Sequence, residues 1–364
     1  MKTVCEKNKC NGCKACTDIC PNKCITINDG INFINAEIDE NVCIDCKLCS
    51  KVCPNITKVQ KKKPIEWKQG WALSEVRDFA TSGGAASVII KSFIQAGGYV
   101  ASCLFDKGDF VFKLTNNVED VKKFAGSKYV KSNPTGIYKE IQNKIKSDKV
   151  LFIGLPCQVA ALKNYVKNHE NLYTIDLICH GTPSIKLLNK YLCERGYVLN
   201  DIKDIKFRMK TDYGLFVNGD KINLSRVTDH YTCAFLESID YTENCYECQF
   251  ASLERVSDMT LGDSLGSECK NQEKNGISLI LVQNEKGKEL LSMSKMELRE
   301  VDLNKAIAHN HQLSHPPVKS SKRDRFFKFI EKGVGFKVTT FMVLPKMLMK
   351  QKLKSMLVKL RMMS

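Results

Sequence analysis

The chain has 364 residues, 43% hydrophobic and 26% charged, a composition that supports a folded core and excludes a disordered polymer. Its length allows two or three domains. The net charge is +16, but residues 319–364 hold 13 Lys or Arg against 2 Asp or Glu, so the basic character belongs mostly to the tail, and no nucleic-acid partner is expected for the body.

Residues 1–20 are polar and already carry Cys5, Cys10, Cys13, Cys16 and Cys20. They have no apolar core, so no signal peptide is read there. Cysteines in a long chain of this kind bind metal more often than they pair. No run of eighteen apolar residues occurs, so no membrane span is expected. A reducing, cytoplasmic setting follows.

The first motifs are CNGCKACTDICP and CIDCKLCSKVCP. Each run has the C-x2-C-x2-C-x3-C-P spacing of bacterial ferredoxins. Three thiolates two residues apart wrap one corner of an iron–sulfur cube, and the fourth starts a short helix that points it at the other cube. One cube takes Cys10, Cys13, Cys16 and Cys53; the second takes Cys43, Cys46, Cys49 and Cys20. Structural zinc is the competing reading, but zinc knuckles do not call for the x3-Cys-Pro ending. Between the runs, Ile25, Ile27, Ile31 and Phe33 alternate about an Asp29-Gly30 turn, which predicts a β-hairpin. Cys5 and Cys24 are surplus and read as packing residues.

Residues 58–64 (KVQKKKP) read as a solvated linker. Beyond them, strand and helix patterns alternate. Thr81-Ser82-Gly83-Gly84 precedes a predicted helix over 83–96 with an apolar stripe at Ala86, Ile89, Ile90, Phe93 and Ile94. Free N–H groups and a positive dipole end gather at such a start and suit a phosphate, although Ser and Gly are also ordinary helix openers. KVLFIGLPCQVAALKNY and LYTIDLICHGTPS each read as buried strand, turn and helix, the second helix over 184–194. They put Cys157 and Cys179 at carboxyl ends of strands, the edge where open α/β sheets bind ligands. With Cys245 and Cys248 of ENCYECQF they make four thiols, the number a third cube needs. A buried or redox-active Cys-x-x-Cys is the other reading.

The series TSGGAASVII, GSKYVKS, GLPCQVAAL, DLICHGTPS, CYECQF, RVSDMTLGD and HPPVKSSKRDRFF, in that order, resembles the coenzyme F-420 hydrogenase/dehydrogenase beta-subunit family over residues 70–335. The resemblance implies an FAD-containing iron–sulfur oxidoreductase that passes electrons between [4Fe–4S] clusters, FAD and an organic substrate or deazaflavin-type carrier. It implies a third [4Fe–4S] cluster on Cys157, Cys179, Cys245 and Cys248. It also places Thr81, Ser82, Gly83, Gly84, Ser127, Lys128 and Tyr129 near the flavin. Where many relatives read Gly-Asp-x-Trp-Gly, this chain has Gly262-Asp263-Ser264-Leu265-Gly266, so one aromatic cofactor contact is missing. No Gly-x-Gly-x-x-Gly supports a nicotinamide dinucleotide.

The expected fold is therefore α+β. A bacterial-type ferredoxin domain with two [4Fe–4S] clusters occupies 1–60 and a linker 61–66. A larger mixed α/β flavin-binding domain occupies 67–335, in parts 67–155 and 156–335, and a basic amphipathic tail runs over 336–364. His180, beside Cys179, is the candidate proton donor or a donor that tunes the cluster; a histidine satisfied by the backbone is the plain alternative. His309, His311 and His315 read as a loop rather than a metal site. Asp258 and Asp263 fit either a ribose or a turn cap. Arg323 and Arg325 fit either a phosphate or a solvated face. Cys103, Cys193, Cys233 and Cys269 read as packing. In the tail, Leu344, Leu348, Leu353, Leu357 and Leu360 recur at roughly helical spacing, which suggests peripheral membrane contact at the inner face or a docked partner. The expected partners are a redox protein or low-potential carrier and a small-molecule substrate. The alternative function is a non-catalytic electron-transfer subunit of a larger redox complex.

Overall fold

The computed structural model describes residues 2–73, 75–167 and 169–360. At the N-terminus, strands Ile25–Asp29 and Ile34–Ile38 form an antiparallel hairpin, and Lys2–Thr3 adds a short third strand. Ile34, Ala36 and Ile38 bury one face of the second strand. The expected alternation therefore slips there: Ile31 and Phe33 lie in the connection, because Gly30 N–H bonds the Phe33 carbonyl across a longer turn than Asp29-Gly30 alone suggests. Two short helices, Ala15–Ile19 and Leu48–Val52, follow the two cysteine loops.

The larger part is built on eight strands in one mixed sheet. Their spatial order is Met296–Arg299, Glu66–Ala72, Ser278–Val282, Met259–Asp263, Leu172–Leu177, Val150–Gly154, Tyr99–Asp106 and Asp109–Thr115. The strands over 99–106, 150–154, 172–177 and 259–263 run parallel to their neighbours within this group; the flanking pairs are antiparallel. All five residues of Val150–Gly154 and of Ser278–Val282 are buried, as central strands covered on both faces require.

Helix Ala85–Gln95 starts after Gly84 in the left-handed region (φ 87°) and buries Ile89, Ile90, Phe93 and Ile94. It ends where Gly97 and Gly98 return their N–H groups to the Ile94 and Phe93 carbonyls. Helix Pro156–Val166 has proline in its first turn, and helix Ile185–Cys193 is capped by Ser184, whose hydroxyl accepts the Leu187 N–H at 3.2 Å. Beneath them Arg255 and Asp176, 1% and 0% exposed at their side chains, pair at 2.9 Å. Thr260 donates to the same Asp176 oxygen at 2.7 Å. Losing one partner of such a pair typically costs about 3–5 kcal/mol.

The linker expectation is corrected. Lys62 exchanges both backbone hydrogen bonds with Arg255, Ile65 N–H bonds the Val282 carbonyl at 2.8 Å, and the next strand begins at Glu66. Free backbone donors beside an open sheet edge are satisfied by pairing, which pins a segment that its lysines alone would leave in solvent. The N-terminal module also shares one apolar core with the larger part: Ile25, Ile34, Ala36 and Ile38 belong to the same cluster as Ile137, Tyr138, Val159 and Leu162.

The tail forms helices Phe336–Val343 and Pro345–Lys359. Leu344 and Leu348 are buried whereas Leu353 and Leu360 are exposed, so the five leucines do not make one face. His309 also departs from the loop reading and ends helix Leu303–His309. No helix among the described residues is long and apolar enough to cross a membrane.

Candidate functional site

The two cysteine loops repeat one backbone geometry. Gly12 and Lys14 have φ of 68° and 58°, and Asp45 and Lys47 have φ of 52° and 60°. Cys10 Sγ accepts the Gly12 N–H at 3.4 Å, and Cys43 Sγ accepts the Asp45 N–H at 3.4 Å. Backbone N–H groups aimed at thiolate sulfur are what an iron–sulfur site needs to hold its negative charge. Cys10, Cys13, Cys16 and Cys53 line one cavity; Cys20, Cys43, Cys46 and Cys49 line another. Among the described residues no three such groups converge on an ion-sized point, whereas a cube takes ligands spread over its corners. The residues therefore fit two [4Fe–4S] groups.

Cys5 and Cys24 sit closer to these sites than packing alone suggested. Cys24 Sγ is 3.4 Å from Cys20 Sγ, and Cys5 hydrogen-bonds Cys10 and Cys53, which together lower its pKa to about 3. Cys10 and Cys53 are raised in return, by Cys5 first and then by burial. Burial pushes Cys13 up to about 11.

The four downstream cysteines come together. Cys157 is raised by burial, then by Cys248 and Cys179; Cys179 is raised to about 12 by burial, then by Cys245 and Cys248. Thr242 and Thr182 hydroxyls lie 3.6 and 3.8 Å from Cys245 Sγ. The loop that carries Cys245 and Cys248 is stitched to the first cysteine loop. Asn244 bonds Asn11 at 3.3 Å, Gln249 bonds the Pro54 carbonyl at 2.9 Å, and Lys9 pairs with Glu247. Lys131 fills the seam, its Nζ 3.3 Å from the Asn11 carbonyl. Burial lowers the Lys131 pKa, but Cys245, Cys157, Cys10 and Cys179 outweigh it and keep the ammonium charged.

Beyond the quartet lies a cavity of about 420 Å³ lined by Thr81, Ser82, Gly84, Ser127, Lys128, Tyr129, Cys179 and His180, within the size range of cofactor sites. Gly83 does not line it. A Cβ there would sit 2.4 Å from the Gly70 carbonyl, so its role is to let the helix start press onto the sheet. Lys128 donates to the Phe124 and Ala125 carbonyls at 2.6 and 3.1 Å, and burial lowers its pKa. Tyr129 stacks on Phe235 with centroids 4.1 Å apart.

The wall also holds Arg208, which no local motif marks. It forks onto Asp263 at 2.6 and 2.8 Å, bonds Tyr213 at 2.8 Å and donates to the Thr81 carbonyl at 3.0 Å. Its Nε is buried with no partner. Of the two aspartates, Asp263 thus faces the cavity. Asp258 instead accepts from Thr174 N–H and hydroxyl, both at 2.7 Å, inside the fold. Arg323 leaves its phosphate reading as well: it pairs with Glu243 at 2.9 Å and is 3% exposed. Arg325 is exposed. Cys103, read as packing, lines the cavity, and Cys193 is exposed.

His180 is open to the cavity. The protein around it, with His311 and Arg208 adding repulsion, lowers its pKa to about 4, so the ring is neutral near pH 7. Gln312 Nε2 donates to His180 Nδ1 at 2.6 Å and to His311 Nε2 at 2.9 Å. That bond leaves the ring proton of His180 on Nε2. Gly181 follows at φ 138°, where a Cβ would meet the Tyr241 ring at 2.3 Å. Only glycine permits this turn out of the strand end.

An α/β body carrying a ferredoxin-like module and a thiol-lined seam defines an iron–sulfur oxidoreductase. Residues 147–305 match the family described as the C terminus of the coenzyme F420 hydrogenase/dehydrogenase beta subunit, and residues 9–56 match the 4Fe-4S dicluster domain. The chain belongs to that beta-subunit family and carries the dicluster domain ahead of it. A coenzyme F420-dependent sulfite reductase of Methanocaldococcus jannaschii is 24% identical over 323 residues, which cover 82% of this chain and 48% of that protein. The chain thus spans about half the length of that curated relative. A solved chain of the F420-reducing [NiFe] hydrogenase complex from Methanosarcina barkeri overlaps with a TM-score of 0.48 and 18% identity, covering 75% of this chain and 96% of that one.

Proposed function

We propose that the chain is an iron–sulfur flavoprotein oxidoreductase in which Cys157, Cys179, Cys245 and Cys248 hold a third [4Fe–4S] cluster between the N-terminal sites and an FAD-binding cavity. In this reading the clusters supply single electrons and FAD couples them to two-electron chemistry on an organic substrate or deazaflavin-type carrier. One observation carries it: the quartet abuts the Asn11 loop through Asn244 and Lys131, while Cys179 also lines the cavity.

The cavity suits the cofactor. The start of helix Ala85–Gln95 and the hydroxyls of Thr81, Ser82 and Ser127 supply donors for phosphate and ribose. The unpartnered Arg208 Nε adds a donor that protein atoms leave unused. Lys131 balances negative charge in the seam. His180 presents a neutral Nε2–H toward the cavity and serves as proton donor to a reducible ligand there. The alternative, an electron-transfer subunit with no substrate chemistry of its own, gains support from the chain's coverage of only 48% of its curated relative.

Anaerobic purification with iron and flavin assays separates these readings. About twelve iron atoms per chain, four per cube, with extractable FAD is the expected result. Cys245→Ala should lower iron to about eight while Cys193→Ala leaves it unchanged. Eight iron atoms in the parent protein would remove the third cluster, and absence of flavin and turnover would favour the electron-transfer subunit.

A further inference from the structure

Beyond Glu331 the sequence contains eight Lys or Arg and no Asp or Glu. Helices Phe336–Val343 and Pro345–Lys359 present two opposite apolar faces. The inner one, Phe336, Val343, Leu344 and Leu348, is buried on the body, with Gln351 Oε1 accepting the Thr228 N–H at 3.0 Å. The outer one is exposed: Val338 at 55% and Phe341 at 49% on the first helix, then Met349 at 61%, Leu353 at 58%, Met356 at 50% and Leu360 at 66% on the second. Residues 349, 353, 356 and 360 recur at i, i+4, i+7 and i+11 and form one stripe. At 100° per residue, Lys346 and Lys350 flank one side of that stripe and Lys352 and Lys359 the other. All four are exposed, and none has a hydrogen bond or ion pair among the described residues.

We propose that this outer face is a membrane-surface anchor that lies in the headgroup region of an anionic bilayer. Three features select this occupant. A stripe rimmed on both sides by unpaired lysines matches an interface in which acyl chains lie below and anionic headgroups beside the helix. The stripe is formed of methionine, leucine and phenylalanine on a convex helical surface with no acidic residue, so it offers a folded partner no groove and no directional contact. The second helix has 15 residues, roughly 22 Å at 1.5 Å each, which is too short to span a bilayer and long enough to lie along one. The inner face stays docked, so the anchor holds the body close to the surface.

The test is co-sedimentation of the full chain with two kinds of vesicle, phosphatidylcholine alone and phosphatidylcholine mixed with phosphatidylglycerol. We expect binding to the mixed vesicles only, weakened by salt. Each lysine near an anionic surface is worth about fivefold in binding, so K346E/K350E/K352E should lower it by about a hundredfold. M349E/L353E/M356E, all at exposed positions, should abolish it, while iron content and the far-ultraviolet spectrum stay at parent values. The proposal is overturned if the chain ignores anionic vesicles, binds neutral ones equally, or binds unchanged after either triple substitution. Capture by an acidic protein without any vesicle binding would overturn it as well.

Discussion

Arg208 spends both terminal nitrogens on Asp263, Tyr213 and the Thr81 carbonyl, so its charge is matched before any ligand arrives and only Nε remains to give. Burial works against the Asp263 carboxylate, but Arg208 outweighs it and lowers its pKa. Lysine would keep the charge and lose the planar fork. Arg208→Lys should therefore weaken flavin retention by about tenfold or more, given roughly 1.5–3 kcal/mol for a hydrogen bond to a charged group. Flavin fluorescence titration of the reconstituted variant measures it. No sequence signal marks Arg208, because its partner lies 55 residues away on another strand. The eight N-terminal cysteines were legible because their spacing is local chemistry. Cys157 and Cys179 were legible as strand-end thiols, but their convergence with Cys245 and Cys248 depends on the sheet order and stands only in the fold.

At the level of single elements, helix Ala85–Gln95 and the strand–helix units around Cys157 and Cys179 follow their apolar patterns closely, since burial on a central sheet leaves little choice of period. The segment over 58–64 does not, because a backbone pairing with Arg255 overrides its lysines. The tail helices show the same limit: leucine spacing cannot tell which of two apolar faces meets the body. His230 holds the first of these helices, its Nδ1 2.6 Å from the Thr340 hydroxyl. Burial, with Arg195 and Lys337 adding repulsion, lowers its pKa from 6.5 to about 4. The docked state therefore refuses a proton that an undocked histidine would accept. Docking is fully favoured above pH 6.5 and weakens as pH falls from there toward 4. Amide exchange over 336–343, corrected for intrinsic rates, should be faster at pH 5 than at pH 7.5, and His230→Gln should flatten that difference.

For the whole molecule, the shared apolar core makes the N-terminal module a structural part of the larger body. Cys13 at about 11 shows why iron matters to it: without metal the buried thiols keep their protons and leave the loops without their cross-link. Both tryptophans, Trp67 and Trp71, lie on the strand Glu66–Ala72 of the large sheet and report only on that body. Stripping the iron should nonetheless lower the tryptophan-detected melting midpoint, by about 2–4 °C for each kcal/mol of coupling. An unmoved midpoint would mean that the two parts melt independently.

The seam through Asn11, Asn244 and Lys131 bears on kinetics too. Because the two cysteine-bearing loops are laced side by side, traffic across that junction does not wait for a swinging module. Under the proposed reading, thickening the solvent with glycerol would slow the encounter with an outside redox protein while internal tunnelling kept its pace.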